Sequence, residues 1–196
     1  MGYKTMDANE AVSRVSYKFT EIAGIYPITP ASPMAEKVDV LASKGEINFW
    51  GNKVKVIEME SEKGAIATVH GALQAGVLAT TYTASQGLLL MIPSIYKMAG
   101  EMLPGVIHVA ARSLSTHSLS IFGDHQDIYA VRQTGACMLS SSSVEEAYHM
   151  AMVSHLASIK SSLPFINFFD GFRTSHEIDK VKEIDLSKLE TFIDKK

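Results

Sequence analysis

From Gly64 to Gly123 the only Asp, Glu, Lys or Arg residues are Lys97, Glu101 and Arg112, in a chain whose overall charged fraction is 20%. So long a stretch with so little charge has to be covered by something other than water. A bilayer is the first cover to test. The longest strictly apolar run, Leu88 to Pro93, falls far short of the ~20 residues a membrane-spanning helix needs, and Gly, Ser, Thr and Pro interrupt the rest. The stretch is therefore expected to form the buried centre of a layered domain, or to be covered by a partner. Arg112 is its most isolated charge, with no other within ten residues on either side.

Composition narrows the class further. With 196 residues and 46% hydrophobic content, the chain can build one generous domain, or one domain and a short connecting segment, burying roughly 70% of its unfolded surface. Disorder and coiled coil are excluded. The net charge is -3, the sequence pI is near 6.2, and no run of basic residues could neutralise a row of phosphates, so no nucleic-acid partner is expected. The single cysteine, Cys137, cannot form an internal disulfide, a four-thiolate iron-sulfur site or a structural zinc site. Residues Met1 to Glu10 carry charges and no apolar core, and Met6 stands where a myristoylation signal needs Ser or Thr. The expectation is a cytoplasmic protein without a membrane.

Strand and helix patterns alternate along the chain. A first helix is predicted over Ala8 to Ile22, with Asp7 and Glu10 spaced as a capping box and Val12, Val15, Phe19 and Ile22 on one face. A short apolar element, Gly24 to Pro30, follows, and then a helix from Ser32-Pro33 to Gly45. Strands are predicted at Val54 to Met59, Val77 to Thr83, Val106 to Ala111, Ala136 to Leu139 and Pro164 to Phe169. The intervening helices are Glu62 to Gln74, Gly87 to Met102, Gln126 to Gln133 and Val144 to Ile159. Continuous apolar strands separated by helices define an α/β fold, a mostly parallel sheet with helices on both faces. Residues 1–176 are read as this domain, and 177–196 as a linker or the start of the next.

Ligands of open parallel sheets bind at the carboxyl ends of the strands, near a switch in strand order. The polar residues predicted there are Thr29, Glu60, Glu62, Thr83, Ser85, Gln86, Arg112, Ser140 to Ser143 and Asp170. One carboxylate and one guanidinium would thus share the rim of a nearly uncharged sheet. Polar strand-to-helix loops are ordinary, however, and the helix dipole alone favours Glu62 in a first turn.

Several familiar chemistries are excluded. Gly71 and Gly76 have P-loop spacing, but Val77 stands where Lys is required. No G-x-G-x-x-G opens a helix. Ser85, in Ala84-Ser85-Gln86-Gly87, lacks the first glycine of a nucleophile elbow. Asp124-His125-Gln126-Asp127 has no second cluster to complete a metal site, so these side chains read as helix-capping groups, and no residue is assigned to a metal. His117, between serines, reads as a solvated loop histidine.

Six blocks in order carry a resemblance that covers essentially the whole chain: Tyr26-Pro-Ile-Thr-Pro-Ala-Ser, Glu58-Met-Glu-Ser-Glu-Lys-Gly-Ala, Thr83-Ala-Ser-Gln-Gly-Leu-Leu-Leu-Met-Ile-Pro, Leu103-Pro-Gly-Val, Phe122-Gly-Asp-His-Gln-Asp and Phe168-Phe-Asp-Gly-Phe-Arg-Thr-Ser-His-Glu. The chain resembles the N-terminal domain of the pyruvate:ferredoxin (flavodoxin) oxidoreductases, within the wider 2-oxoacid:ferredoxin oxidoreductase family. The resemblance implies the pyrimidine domain of the thiamine diphosphate-binding fold. It matches Glu62 to the glutamate that hydrogen-bonds the thiamine aminopyrimidine, a catalytic and cofactor-binding role, because a shared ring proton favours the imino tautomer. Thr29 and Arg112 match the substrate-binding positions, Arg112 as the partner of the pyruvate carboxylate. Glu58 and Glu60 match no role.

The implied activity is oxidative decarboxylation of pyruvate with coenzyme A to acetyl-CoA and CO2, electrons passing to ferredoxin or flavodoxin. The resemblance places Mg2+ and the iron-sulfur clusters on other domains, since the family's Gly-Asp-Gly motif and cluster cysteines are missing here. On that reading the chain is a fragment or subunit, inactive alone, whose partners are the remaining domains and copies of itself in a homo-oligomer. Two alternatives stay open: the pyrimidine domain of another 2-oxoacid:ferredoxin oxidoreductase, or a non-catalytic binding module that keeps the fold. A module of that kind is expected to have lost Glu62 or Arg112, and both are present.

Overall fold

A computed structural model describes residues 2–193. Six parallel strands form the main sheet: β2 (Ile22–Ile25), β3 (Lys55–Glu58), β4 (Ala79–Thr83), β5 (Val106–Ala111), β6 (Cys137–Ser141) and β7 (Phe165–Asp170), in the order β3-β2-β4-β5-β7-β6. Two short strands, β1 (Tyr3–Met6) and β8 (Asp179–Lys182), pair antiparallel beside it.

Helices cover both faces. On one side α1 (Ala8–Phe19), α2 (Ser32–Ser43) and α6 (Val144–Ser161) pack with Ala23, Tyr82, Ala110 and Phe169 of the sheet. On the other, α3 (Glu62–Gln74), α4 (Ser85–Gly100) and α5 (Gln126–Val131) pack with Ala79, Ile107, Val109, Ile166 and Phe168. The helix starts follow local chemistry: Asp7, Ser61 and Ser143 cap α1, α3 and α6 by accepting the N–H of Glu10, Gly64 and Glu146.

The uncharged stretch is the centre of this arrangement. It supplies β4 and β5, buried along their whole lengths, together with most of α3 and all of α4. Of its three charges Lys97 and Glu101 are exposed and Arg112 is buried. Among the described residues no helix is long and apolar enough to cross a membrane.

Boundaries differ from the sequence reading by a few residues. α1 ends at Phe19 rather than Ile22, because Thr20 turns to an extended backbone (ψ 135°) and Ile22 opens β2. α4 starts two residues earlier than expected and continues through Pro93. The chain after 176 returns to the N-terminus. Val181 of β8 is fully buried in the same core as Met6 of β1, and Ile184, Leu186 and Leu189 pack against that core. Residues 194–196 lie outside the described residues.

Candidate functional site

The strand order reverses between β2 and β4: the chain leaves β2 toward β3 on one side, then resumes at β4 and runs to β5 on the other. A crevice is expected at the carboxyl end of such a switch. The turns after β2, β3, β4 and β5 meet there, and they carry Thr29, Glu62, Thr83 to Gly87, and Arg112.

Glu62 is the first residue of α3, 8% exposed. Its carboxylate lies against the backbone of Gly87 in the first turn of α4. A Cβ at position 87 would stand 2.7 Å from Glu62 Oε1 and 2.6 Å from Thr83 Oγ1. Glycine is required here by that approach, and the two oxygens flank one spot. Thr83 Oγ1 is buried with no hydrogen-bond partner among the described residues. Glu58 and Glu60, on the same turn, are exposed.

Arg112 follows the last residue of β5 and is 8% exposed. Its Nη1 donates to the Thr29 carbonyl at 2.6 Å, while its buried Nε has no partner among the described residues. Thr29 is exposed, joined to Pro30 by a cis peptide, and it meets Arg112 through its backbone oxygen. Asn9 of α1 holds the next carbonyl, Pro30, at 3.1 Å. Gly171, after β7, lets this loop close on β5: a Cβ there would lie 2.6 Å from Pro30 Cγ and 2.7 Å from the Ala111 carbonyl.

Thus the three sequence-chosen residues share a rim. Thr29 and Arg112 are in direct contact, whereas Glu62 is grouped with Thr83 and Gly87. In the sequence Thr83 is one polar strand end among many. The tight fit of Gly87 against Thr83 and Glu62 leaves no mark in a sequence beyond the glycine itself. The hydrolase exclusion has a structural counterpart. Ser85 does adopt an elbow-like left-handed backbone (φ +51°), yet it is fully buried and its hydroxyl donates to the Ser113 carbonyl at 2.6 Å. Asp124 does cap locally, accepting the Gln126 N–H at 2.8 Å; Asp127 points inward instead. Beside this cluster His125 Nε2 contacts Asp170 Oδ1 at 2.9 Å.

Fold and rim together define a class, a parallel α/β domain with polar side chains gathered at the carboxyl end of its strand switch. The model of the family described as "Pyruvate flavodoxin/ferredoxin oxidoreductase, thiamine diP-bdg" matches residues 14–196. Curated relatives agree. A pyruvate-flavodoxin oxidoreductase of Klebsiella pneumoniae is 60% identical over 98% of this chain, and a pyruvate:ferredoxin oxidoreductase of Moorella thermoacetica is 57% identical over 99%. A 2-oxoglutarate:ferredoxin oxidoreductase from Magnetococcus marinus, solved with 2-oxoglutarate, coenzyme A and succinyl-CoA bound, has the same fold. Its TM-score is 0.82 at 22% identity, over 95% of this chain and 32% of that one. The chain belongs to the pyruvate flavodoxin/ferredoxin oxidoreductase family, in its thiamine diphosphate-binding region. It spans 16% of the Klebsiella relative's length and 17% of the Moorella one's.

Proposed function

We propose that this chain supplies the pyrimidine-facing wall and the substrate-anion site of a thiamine diphosphate-dependent enzyme, which oxidatively decarboxylates pyruvate with coenzyme A and passes electrons to ferredoxin or flavodoxin. The observation that carries the reading is two buried polar atoms without partners among the described residues, Thr83 Oγ1 and Arg112 Nε, on the rim that also carries the Glu62 carboxylate. Buried polar groups are nearly always paired, so such a set is complementary to a ligand.

The donor set fits thiamine diphosphate. Glu62 accepts or shares a proton at a pyrimidine ring nitrogen, Thr83 offers a hydroxyl beside it, and Gly87 keeps the wall thin enough for a flat ring to approach. Thiamine diphosphate held there would supply a nucleophilic carbon for reaction at the 2-oxo carbon of the substrate. Glu62 would hold a proton at the pyrimidine ring, and so would favour a basic exocyclic nitrogen. Arg112, with Nη1 fixed on the Thr29 carbonyl, turns Nε and the rest of its fork to the carboxylate of the 2-oxoacid. Among the described residues no group of three His, Cys, Asp or Glu side chains could hold a metal. Mg2+, the diphosphate ligands and the iron-sulfur clusters are assigned to other domains of the enzyme, with which this chain assembles in the cytoplasm.

Glu62→Gln tests the reading. In the enzyme carrying this domain, proton exchange at thiazolium C2, followed by NMR, should slow by roughly 10² to 10⁴, the range of one acid-base group. An unchanged rate removes Glu62 from the mechanism.

A further inference from the structure

The carboxylate of Asp127, on α5, is fully buried, and it accepts three backbone N–H groups. Oδ2 takes the N–H of Ser85 at 2.7 Å and that of Arg112 at 3.0 Å; Oδ1 takes the N–H of Ile128 at 2.8 Å. Ser85 and Arg112 are the residues at which the chain leaves β4 and β5. One oxygen atom therefore ties two adjacent strand-to-helix turns to each other and to a third element.

Both tied residues need holding. Ser85 is a buried non-glycine residue with φ +51°, a left-handed conformation that persists only where neighbours impose it. It stands two residues before Gly87, whose backbone faces Glu62. Arg112 has its side chain anchored on Thr29, which fixes the guanidinium only if the main chain is fixed as well. Burial raises the Asp127 carboxyl above the usual range, and the three N–H donors offset only part of that rise. All three bonds run from backbone N–H donors to the carboxylate oxygens, so none of them needs a proton on Asp127.

We propose that Asp127 is a positioning residue of the site: by stapling the Ser85 and Arg112 amides it sets the spacing between the Glu62-facing wall and the substrate arginine. Asp127 touches neither cofactor nor substrate, and it acts through those two amides. The inference rests on the functional reading above for its kinetic consequence, and on this chain's geometry alone for the staple.

The test has two readouts. Hydrogen exchange of the 196-residue chain should show the Ser85 and Arg112 amides exchanging at least about tenfold faster in Asp127→Ala, while amides of β5 facing α6, such as His108, keep their protection. Asp127→Asn keeps one acceptor oxygen without its charge and should fall between the two; it carries the test if the alanine variant does not fold. In the complete enzyme, the Michaelis constant for pyruvate should rise about tenfold in Asp127→Ala and less in Asp127→Asn, with Arg112→Lys as the reference for a directly disturbed arginine. Unchanged Ser85 and Arg112 exchange in both variants overturns the staple. Faster exchange with an unchanged Michaelis constant overturns the positioning role, provided Arg112→Lys raises it. If Arg112→Lys also has no effect, the functional reading of Arg112 fails, and the positioning role with it, while the exchange result still decides the staple.

Discussion

Beneath α1 and α6 the sheet buries a polar layer whose members bond to one another. Asn167 Nδ2 donates to His108 Nδ1 at 3.1 Å, and His108 Nε2 meets His155 Nε2 at 3.1 Å. With the amide so oriented, His108 carries its proton on Nε2 and His155 on Nδ1. Tyr82 stacks on His108 and bonds Ser16 at 2.7 Å, Phe19 stacks on His155, and Thr80 bonds Thr20 at 2.8 Å. Asn167 Oδ1 is the layer's unpaired atom. At the carboxyl rim of the same strands the pattern inverts, and Glu62, Thr83 and Arg112 keep open valences. The bonded groups of the layer hold this fold together, whereas the rim groups contribute little to it and are the ones the proposed ligand would engage.

The largest expected contrast follows. His108→Ala should cost about 3 to 5 kcal/mol, since it leaves a cavity and strands both Asn167 and His155. Glu62→Gln, with no bond to lose, should stay within about 0.5 kcal/mol of the parent. Thermal or denaturant unfolding of the two variants measures the difference, and equal losses would erase the distinction between layer and rim.

A smaller effect separates the layer by pH. Burial lowers His108 to about 3, and burial together with His108 lowers His155 well below its ordinary value. At pH above 6.5 the rings are neutral in both folded and unfolded chains. As pH falls below 6.5 the unfolded chain takes up protons that the buried rings refuse, so stability is lost from there down to about 3. His108 alone should account for about 3 kcal/mol by pH 4. Denaturation between pH 6.5 and 4 should therefore have a shallower pH slope in His108→Gln than in the parent. Identical slopes would mean the pair accepts protons without unfolding.

These two regions were unequally legible. The rim could be read because strand ends are local: α3 begins at Glu62 and β5 runs from Val106 to Ala111, as the pattern predicts, so Glu62 and Arg112 follow from where strands stop. The layer could not. His108 and His155 are 47 residues apart, and each sits in an apolar run where a lone histidine looks incidental. Asp127 read as a helix cap because an acid in a first turn ordinarily is one; only the meeting of the β4 and β5 turns reveals its other oxygen. β1 and β8 escaped because Tyr3–Met6 and Asp179–Lys182 are only four residues each and neither alternates polar and apolar residues, so no strand period registers.

The smallest expected effect is also the most discriminating, because it places one substitution on both sides of the comparison within a single strand. Thr80 and Thr83 both lie buried on β4. Thr20 already donates its proton to the Ser16 carbonyl at 2.6 Å, so the Thr80 hydroxyl is the donor to Thr20. Thr80→Val removes that bond and should destabilise by about 1 kcal/mol. Thr83→Val removes a hydroxyl that is buried and unpaired, exchanging a desolvated polar atom for a methyl group of similar size. It should leave stability unchanged or raise it by up to about 1 kcal/mol, and weaken thiamine diphosphate binding in the complete enzyme. Urea unfolding of the two variants reads the sign directly. A Thr83→Val loss as large as that of Thr80→Val would show that Thr83 is already satisfied within the fold, and that the rim holds one open group fewer than the ligand reading requires.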